Sequence, residues 1–553
     1  MDSLTWHPVG PAEAAPDGTM RRAEAGGRAV CLGRVGGAWV AFDDTCTHEE
    51  CSLFDGVLDN EVIVCPCHGS EFDVRTGDVL SPPALDPLPI YDVREEDGSL
   101  AVRLAPPPAA AEAVRAREDH VPSEVATAAT VPGPSTAGIS LDDVDLTDLD
   151  VWERGVPHDW LALLRRDAPL FWQEEADGRG FWAFTRYDDI VAVSKDYETY
   201  SSETGGTSLE DLTPEEVEAR KSMLDTDPPE HTRLRALVNQ GFTPRVVDTY
   251  EERIRGIARG ILAQAFEQDE FDWVAAVASE IPMWVFSEIM GLPVEDRRLL
   301  IELGDKLLGN TDPDVVGAAN VQELTVQDPS LRLLPFSSPF AADLIEYGRL
   351  LGEARRADPR DDITTRLVEA EVEGSRLDER EFGTFFILLT TAGNETTRHT
   401  ISLALLDLLA HPEEAARLVD DPSLAATAAD EVLRRAHPVH RFRRTATRDV
   451  VAHGRRIRAG DKVTIWYASG NYDEEKFADP YRMDVGRTPN RHLTFGLGGP
   501  HFCLGAHLAR LEVRIWLEEM LPYLHRIELA GPPVRLRSNF FHGVKQMPVR
   551  VAA

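Results

Sequence analysis

The sequence predicts a multidomain chain: a small all-β domain, then a linker, then a larger, mainly α domain with minor β-sheets. Three observations predict this. The chain has 553 residues, more than one hydrophobic core usually organises. Strand-like apolar runs bounded by turn residues fill residues 1–104, whereas Ala, Leu, Glu and Arg in helical periodicity dominate 139–553. Between them, residues 105–138 are rich in Ala, Pro, Ser and Thr, a composition that cannot build a core. With 43% hydrophobic and 27% charged residues, disorder throughout is excluded.

Taken in order, the β elements begin with Arg28 to Asp44, where apolar and small residues run around Gly36-Gly37. Short apolar runs recur at Val62 to Val64, Ile90 to Val93 and Leu100 to Leu104. The linker opens on Ala105 and three prolines. Helical periodicity then marks Val246 to Glu267, Phe382 to Leu409, Asp430 to Ala436 and Ala506 to Leu521. No internal repeat suggests a solenoid.

Fifty-seven basic against 95 acidic residues give a formal net charge of -38, which repels a phosphate backbone and argues against nucleic acid as a partner. Residues Met1 to Ala15 lack the basic and apolar regions of a signal peptide, and no apolar stretch reaches membrane-spanning length. The expectation is a soluble, cytoplasmic protein with no membrane span. Six cysteines in so long a chain make no disulfide framework, but Cys46, Cys51, Cys65 and Cys67 crowd one stretch, which in the cytosol points to metal binding.

Cys46-Thr47-His48 is followed, after 16 intervening residues, by Cys65-Pro66-Cys67-His68, so two loops each offer a thiolate and an imidazole. A 2Fe-2S centre in which Cys46 and Cys65 hold one iron and neutral His48 and His68 the other accounts for that asymmetry. The alternative is a structural zinc site, although zinc knuckles use Cys-x2-4-Cys spacing. The stretches CTHEEC and CPCHGSEFD resemble both loop motifs of the Rieske family, over residues 3–104. The resemblance implies an antiparallel β-sandwich, a disulfide between Cys51 and Cys67, and a hydrogen bond from Ser70 to the cluster. Phe72 stands where high-potential members carry a tyrosine, which implies a lowered potential.

Farther on, Phe495-Gly-Leu-Gly-Gly-Pro-His-Phe-Cys503-Leu-Gly505 sets a cysteine in a Gly-rich turn ahead of a helix. Glycines let backbone approach a flat macrocycle, and a helix N-terminus stabilises a thiolate. The bland alternative is a cysteine packed as a small hydrophobe. Glu431 and Arg434 stand i, i+3 on one helix face. Ala392-Gly393-Asn394-Glu395-Thr396-Thr397 interrupts an apolar helix with an acid and hydroxyls, a costly arrangement unless those groups are satisfied or used.

Together these segments resemble the cytochrome P-450 superfamily over about residues 140–553. The resemblance implies a mainly α fold and a haem b with Cys503 on its iron. It also implies His231, Arg235, Arg444 and His501 on the haem propionates, as cations facing carboxylates. Glu431 and Arg434 become a structural pair completed by Arg482, and Thr396 and Glu395 deliver protons during O2 cleavage. The stretch from Phe495 to Cys503 is one position longer than in most members. With SMLDTDPPEHTRLRALVNQGFTPR and SNFFHGVKQMPVRV, it resembles an actinobacterial subset that oxidises sterol side chains, methyl-branched lipids or terpenoid chains. The substrate-facing loop of the family falls at Ser202 to Leu224.

The expected function is a haem-thiolate monooxygenase inserting one oxygen atom of O2 into a small hydrophobic substrate. No Gly-rich dinucleotide fingerprint follows a strand, so a separate NAD(P)H-dependent ferredoxin-type reductase is implied, with the Rieske domain passing its electrons to the haem. Against this stand Rieske potentials of about -150 to +300 mV, positive for reducing a haem-thiolate. The alternatives are a haem/Fe-S redox sensor and a monooxygenase whose Rieske domain is regulatory or structural. A Rieske non-haem oxygenase lacks its Asp-x2-His-x4-His pattern here.

Overall fold

The structure is a computed structural model. It describes residues 5–12, 19–47, 52–55, 57–59, 61–65, 70–81, 84, 86–96, 98–104, 133–176, 178–239, 241–308, 312, 314, 325, 328–371 and 374–552. His48, Cys51, Cys67, His68 and linker residues 105–132 lie outside the described residues. The chain forms two compact units, one of Met1–Thr130 with Leu497–Phe502 and the other of Val131–Gly496 with Cys503–Ala553.

The strands of the first unit are β1 (His7–Pro11), β2 (Met20–Ala25), β3 (Arg28–Val35), β4 (Ala38–Asp43) and β5 (Val57–Asp59). They continue with β6 (Val62–Val64), β7 (Glu71–Asp73), β8 (Val79–Ser81), β9 (Ile90–Glu96) and β10 (Ser99–Leu104). Gly36 and Gly37 both take positive φ, 57° and 74°, the hairpin conformation that matches strand twist and that other residues resist. Side chains on β3 alternate with period two: Val30 and Leu32 join one core with Ala41, Tyr91 and Val102, while Cys31 joins Phe42 and Phe72 in another.

These cores fix two sheets. The larger runs β1-β10-β9-β4-β3-β2, antiparallel throughout, and its edge strands β1 and β2 approach each other so that it nearly closes. The smaller runs β5-β6-β7-β8 and shares the Cys31 core with it, the expected antiparallel sandwich.

The second unit is mainly helical. Its principal helices are α1 (Glu230–Asn239), α2 (Glu251–Ala265), α3 (Arg297–Leu308), α4 (Phe340–Ala357), α5 (Glu379–Ala410), α6 (Ala425–Ala436) and α7 (Ala506–Met520). A five-stranded sheet stands beside them: β11 (Leu170–Gln173), β12 (Phe181–Phe184), β13 (Tyr200–Ser201), β14 (Arg441–Ala446) and β15 (Lys462–Trp466). Asp378 and Glu381 start α5 as a reciprocal capping box, with bonds of 2.7 and 2.9 Å. The single helix expected over Val246 to Glu267 is in fact broken. Thr249 Oγ1 donates to the Val246 carbonyl at 2.6 Å, the local competition that ends a turn, and α2 begins afresh after Tyr250.

Glu431 and Arg434 form a doubly hydrogen-bonded pair on α6, at 2.8 and 2.9 Å, with both side chains fully buried. The expected third member, Arg482, is not there. Arg487 donates to Glu431 instead, at 3.0 Å, while Arg482 pairs with Asp484 at 3.2 Å. The reason is a turn in which the Arg487 amide reaches back to the Asp484 carbonyl, folding residue 487 over α6. Arg434 also donates to the Asn471 carbonyl at 2.7 Å, and the Asn471 side chain binds the Leu493 amide at 2.6 Å and Thr494 Oγ1 at 3.1 Å.

Replacing Glu431 by Ala leaves two arginines buried without their counter-charge and is expected to cost about 3–5 kcal/mol. Denaturant unfolding followed by helical circular dichroism measures it; a loss below about 1 kcal/mol would show the pair to be dispensable.

Candidate functional site

In the first unit, backbone bonds set the two loops that bear Cys46 and Cys65. Asp43 Oδ1 accepts the Thr45 amide at 3.1 Å, and Asp44 Oδ1 accepts Ser52 Oγ at 3.0 Å and the Phe54 amide at 2.8 Å. The Cys65 amide donates to the Ser70 carbonyl at 2.8 Å. Ser70 Oγ accepts the Ala84 amide at 2.9 Å, which leaves its own proton for another acceptor. Cys46 and Cys65 are buried in one apolar cluster with Phe72, and neither is in a disulfide. A buried apolar cluster with two thiols and a serine proton fits an iron–sulfur centre; the imidazoles of the set, and the expected Cys51–Cys67 disulfide, fall outside the described residues. Cys31 is not part of it: its thiol donates to Asp44 at 3.1 Å, and burial raises its pKa. Sequence reasoning did not single out Asp43 and Asp44, whose carboxylates hold these backbone amides.

The Cys503 loop begins where the Asn471 network ends. Gly496, Gly498 and Gly499 take φ of 71°, 77° and 81°, and the Cys503 amide closes onto the Phe495 carbonyl at 2.9 Å. Left-handed glycines thus absorb the extra position in the loop. Burial raises the Cys503 thiol, opposed by a backbone bond at Gly505 and by the Arg235 and Arg510 cations. Cys503 is itself exposed at the end of this loop. Ala392 and Gly393, mid-way along α5, are likewise exposed, and a Cβ on Gly393 would meet nothing within 4 Å. Such open space over a helix and over a thiol suits a flat macrocycle.

The expected propionate residues are placed as follows. His231 and Arg235 are buried on α1, with His231 Nδ1 3.1 Å from the Met223 carbonyl. His501 is half-buried two positions before Cys503. Arg444 on β14 is buried and makes no ion pair among the described residues, its Nη1 donating only to the Arg443 carbonyl at 2.7 Å. Burial lowers its pKa. A buried cation without a counter-ion is costly, and a carboxylate arriving beside it would relieve that cost, so these residues fit a haem.

On α5, Thr396 Oγ1 donates to the Ala392 carbonyl of the preceding turn. Glu395 is buried against Arg398, which also pairs with Asp305 on α3, and Asn394 Nδ2 lies 3.2 Å from its carboxylate. Burial pushes the Glu395 pKa up, while Arg398 pulls it down. Asp305 is 37% exposed, so the chain Glu395–Arg398–Asp305 runs from the middle of α5 to the surface. Arg398 and Asp305 were not singled out from sequence; only their i, i+3 and interhelical contacts reveal them.

A cavity of about 290 Å³ lies against α5 one turn before Ala392, at Thr384, Ile387, Leu388 and Thr391. Gly205 to Leu212 and Leu224 form another wall, within the segment expected to face substrate. Phe336, Arg441, Asn539 and Phe540 also line it, and these four were unforeseen.

Residues 5–92 match the Rieske [2Fe-2S] domain family and residues 423–530 the Cytochrome P450 family. A methyl-branched lipid omega-hydroxylase of Mycobacterium bovis is 39% identical over 436 residues, 77% of this chain and 98% of that protein. A steroid C26-monooxygenase of Mycobacterium bovis is 33% identical over 431 residues, 76% and 94% respectively. A solved Mycobacterium marinum cytochrome P450 in complex with pseudoionone is 37% identical, with a TM-score of 0.64 over 76% of this chain and all of that one. Fold, cysteine loop and likeness together define a haem-dependent monooxygenase preceded by a 2Fe-2S domain. The chain belongs to the cytochrome P450 family and carries a Rieske domain ahead of it. Among the described residues, no helix is long and apolar enough to cross a membrane.

One wall of the cavity rests on Glu216, held by Arg332, with the Thr213 amide at 2.8 Å. The Arg332 hydrogen bond lowers the Glu216 pKa from 4.5 to about 2. A depressed folded pKa stabilises above the unfolded value, so this contribution is complete above pH 4.5 and is lost as the pH falls toward about 2. Glu216→Gln is therefore expected to lower the melting temperature at pH 7, with the gap from wild type narrowing in acid; a gap that is constant with pH would count against the ion pair.

Proposed function

We propose that this monooxygenase oxidises a hydrophobic chain, of sterol side-chain, branched-lipid or terpenoid type, held in the cavity beside α5. Electrons come from a separate NAD(P)H-dependent ferredoxin-type reductase and reach the haem through the fused Rieske domain. The observation that carries this reading is the presence of two redox modules on one chain. Joining the two modules on one chain makes electron transfer between them intramolecular, so delivery becomes local. The substrate reading rests on Leu209, Leu212, Leu224, Ile387 and Phe540 in the cavity wall, and on lipid and steroid chemistry in the names of the relatives.

Haem with a thiolate ligand supplies the redox chemistry that cleaves O2 and leaves one oxygen atom for the substrate. Cys503 would hold it, and His231, Arg235, Arg444 and His501 would meet its carboxylates. Cys46, His48, Cys65 and His68 would hold the 2Fe-2S cluster, with the Ser70 proton directed at it. Thr396 holds a proton at its hydroxyl, and Glu395 resupplies it, exchanging with solvent when its carboxyl swings away from Arg398, whose charge Asp305 holds toward the surface. Burial of Glu395 keeps its proton affinity high enough for that exchange near neutral pH.

The test is anaerobic reduction through a reductase under CO, followed by stopped flow in wild type and in His68→Ala that keeps its haem. Cluster reduction before haem reduction, lost in the variant, is the expected result. Equal haem reduction without the cluster would make the Rieske domain regulatory or structural. For proton delivery, Glu395→Gln is expected to slow product formation about 10²-fold while Thr396→Ala diverts NAD(P)H consumption from product to peroxide. Unchanged rate and coupling in both would place the proton path elsewhere.

A further inference from the structure

Three histidines that none of the chemistry above uses meet behind the cavity. His437 follows α6, His440 precedes β14, and His542 lies near the C-terminus. Backbone pairing draws them together: Val439 bridges Phe541, the His440 amide donates to the Phe540 carbonyl at 2.8 Å, and the His542 amide donates to the Pro438 carbonyl at 2.9 Å. One ligand atom from each of the three lies within 4.8 Å of the other two. His437 and His440 are buried, at 0% and 1% exposure, and His542 is partly open.

Their ring nitrogens are not used up. Both nitrogens of His437 and Nδ1 of His440 are buried without a hydrogen bond of good geometry, although the Arg434 and Arg435 backbones lie beside His437. His437 also takes φ of 28°, a strained value for a side-chain-bearing residue. His542 Nδ1 lies 2.7 Å from the Ala436 carbonyl, the kind of outer-partner bond that fixes a metal-binding imidazole and leaves Nε2 as its ligand atom. Burial keeps all three rings neutral at pH 7, with lone pairs available.

We propose that His437, His440 and His542 form a binding site for a divalent transition ion of the zinc type. Donors that are all imidazole, with no carboxylate among them, select Zn²⁺, Cu²⁺ or Ni²⁺ over Ca²⁺ or Mg²⁺. Reaching Zn–N distances of about 2.0–2.1 Å asks each ring to close in by less than about 1 Å. The fourth position opens on the exposed side of His542 and takes water.

The surrounding charges are largely balanced. Arg435 is paired with Asp407 at 2.8 Å and Arg434 with Glu431 at 2.8 Å. Arg441 is held by the Thr207 carbonyl and Asn539, while His158 is a further neutral ring beside His437. Arg535 is the competing cation, with Nη1 3.5 Å from His542 Nε2, and it is partly exposed and so has room to swing out. Occupancy would tie the end of α6 to β14 and to the segment bearing Asn539 and Phe540. Arg441, Asn539 and Phe540 line the cavity, so the ion would stiffen the wall that substrate meets.

The test is equilibrium dialysis of the intact holoenzyme against ZnCl2, with zinc counted per haem and its environment read by zinc K-edge X-ray absorption. One tightly held zinc per chain with nitrogen and oxygen neighbours only is expected. His542→Ala should weaken binding by more than the roughly 10–100-fold that loss of an outer partner costs. Arg535→Gln, which removes no ligand and sits near the surface, should bind more tightly than wild type. Sulfur in the first shell would place the zinc in the Rieske loops and overturn the proposal. So would absence of stoichiometric zinc in wild type, or affinity unchanged in both variants.

Discussion

The thiolate loop depends on a charge cluster that water never reaches. Glu431 neutralises Arg434 and Arg487 together inside α6's packing face, and Arg434 hands that order to Asn471. Asn471 in turn fixes Leu493 and Thr494, from which the loop to Cys503 departs. A buried ion pair adds little net stability over an apolar core, because desolvation consumes most of the attraction. What it supplies is direction: only one arrangement of these chains satisfies every donor. The sulfur is thereby positioned by residues distant from it in sequence, and the glycines of the loop are free to be left-handed because its ends are already held.

The same cost of burying charge explains β14. It carries Arg441, Arg443 and Arg444, all buried. Arg441 and Arg443 are lowered by burial to about 9 and about 10, while their guanidinium groups lean on carbonyls of the neighbouring wall segment. A strand so loaded with positive charge is stable only where carbonyl dipoles and incoming carboxylates converge.

Much of this was legible in the sequence, for reasons that are local. The Gly36-Gly37 hairpin, α5 with its polar interruption, and α7 after the cysteine loop are each announced by turn chemistry or periodicity that needs no tertiary context. The break at Thr249 was not legible, because a hydroxyl returning to its own backbone competes with the helix by tenths of an ångström that periodicity ignores. Arg487 took the place expected of Arg482 because a single turn at Asp484 decides which arginine overlies Glu431. Asp44, Arg398, Asp305 and the three histidines act through partners far along the chain, and no spacing rule joins them.

The nearly closed sheet of the first unit has one more consequence. β1 pairs with β10, so that His7 faces Val102 and Pro11 faces Ser99. The strands by which the chain enters and leaves this domain are thus neighbours, and most of its backbone donors face inward rather than along open edges. Its larger sheet has little tendency to recruit foreign strands. Inserted into a surface loop of another protein, it would leave the host's two cut ends side by side, the geometry that domain insertion tolerates.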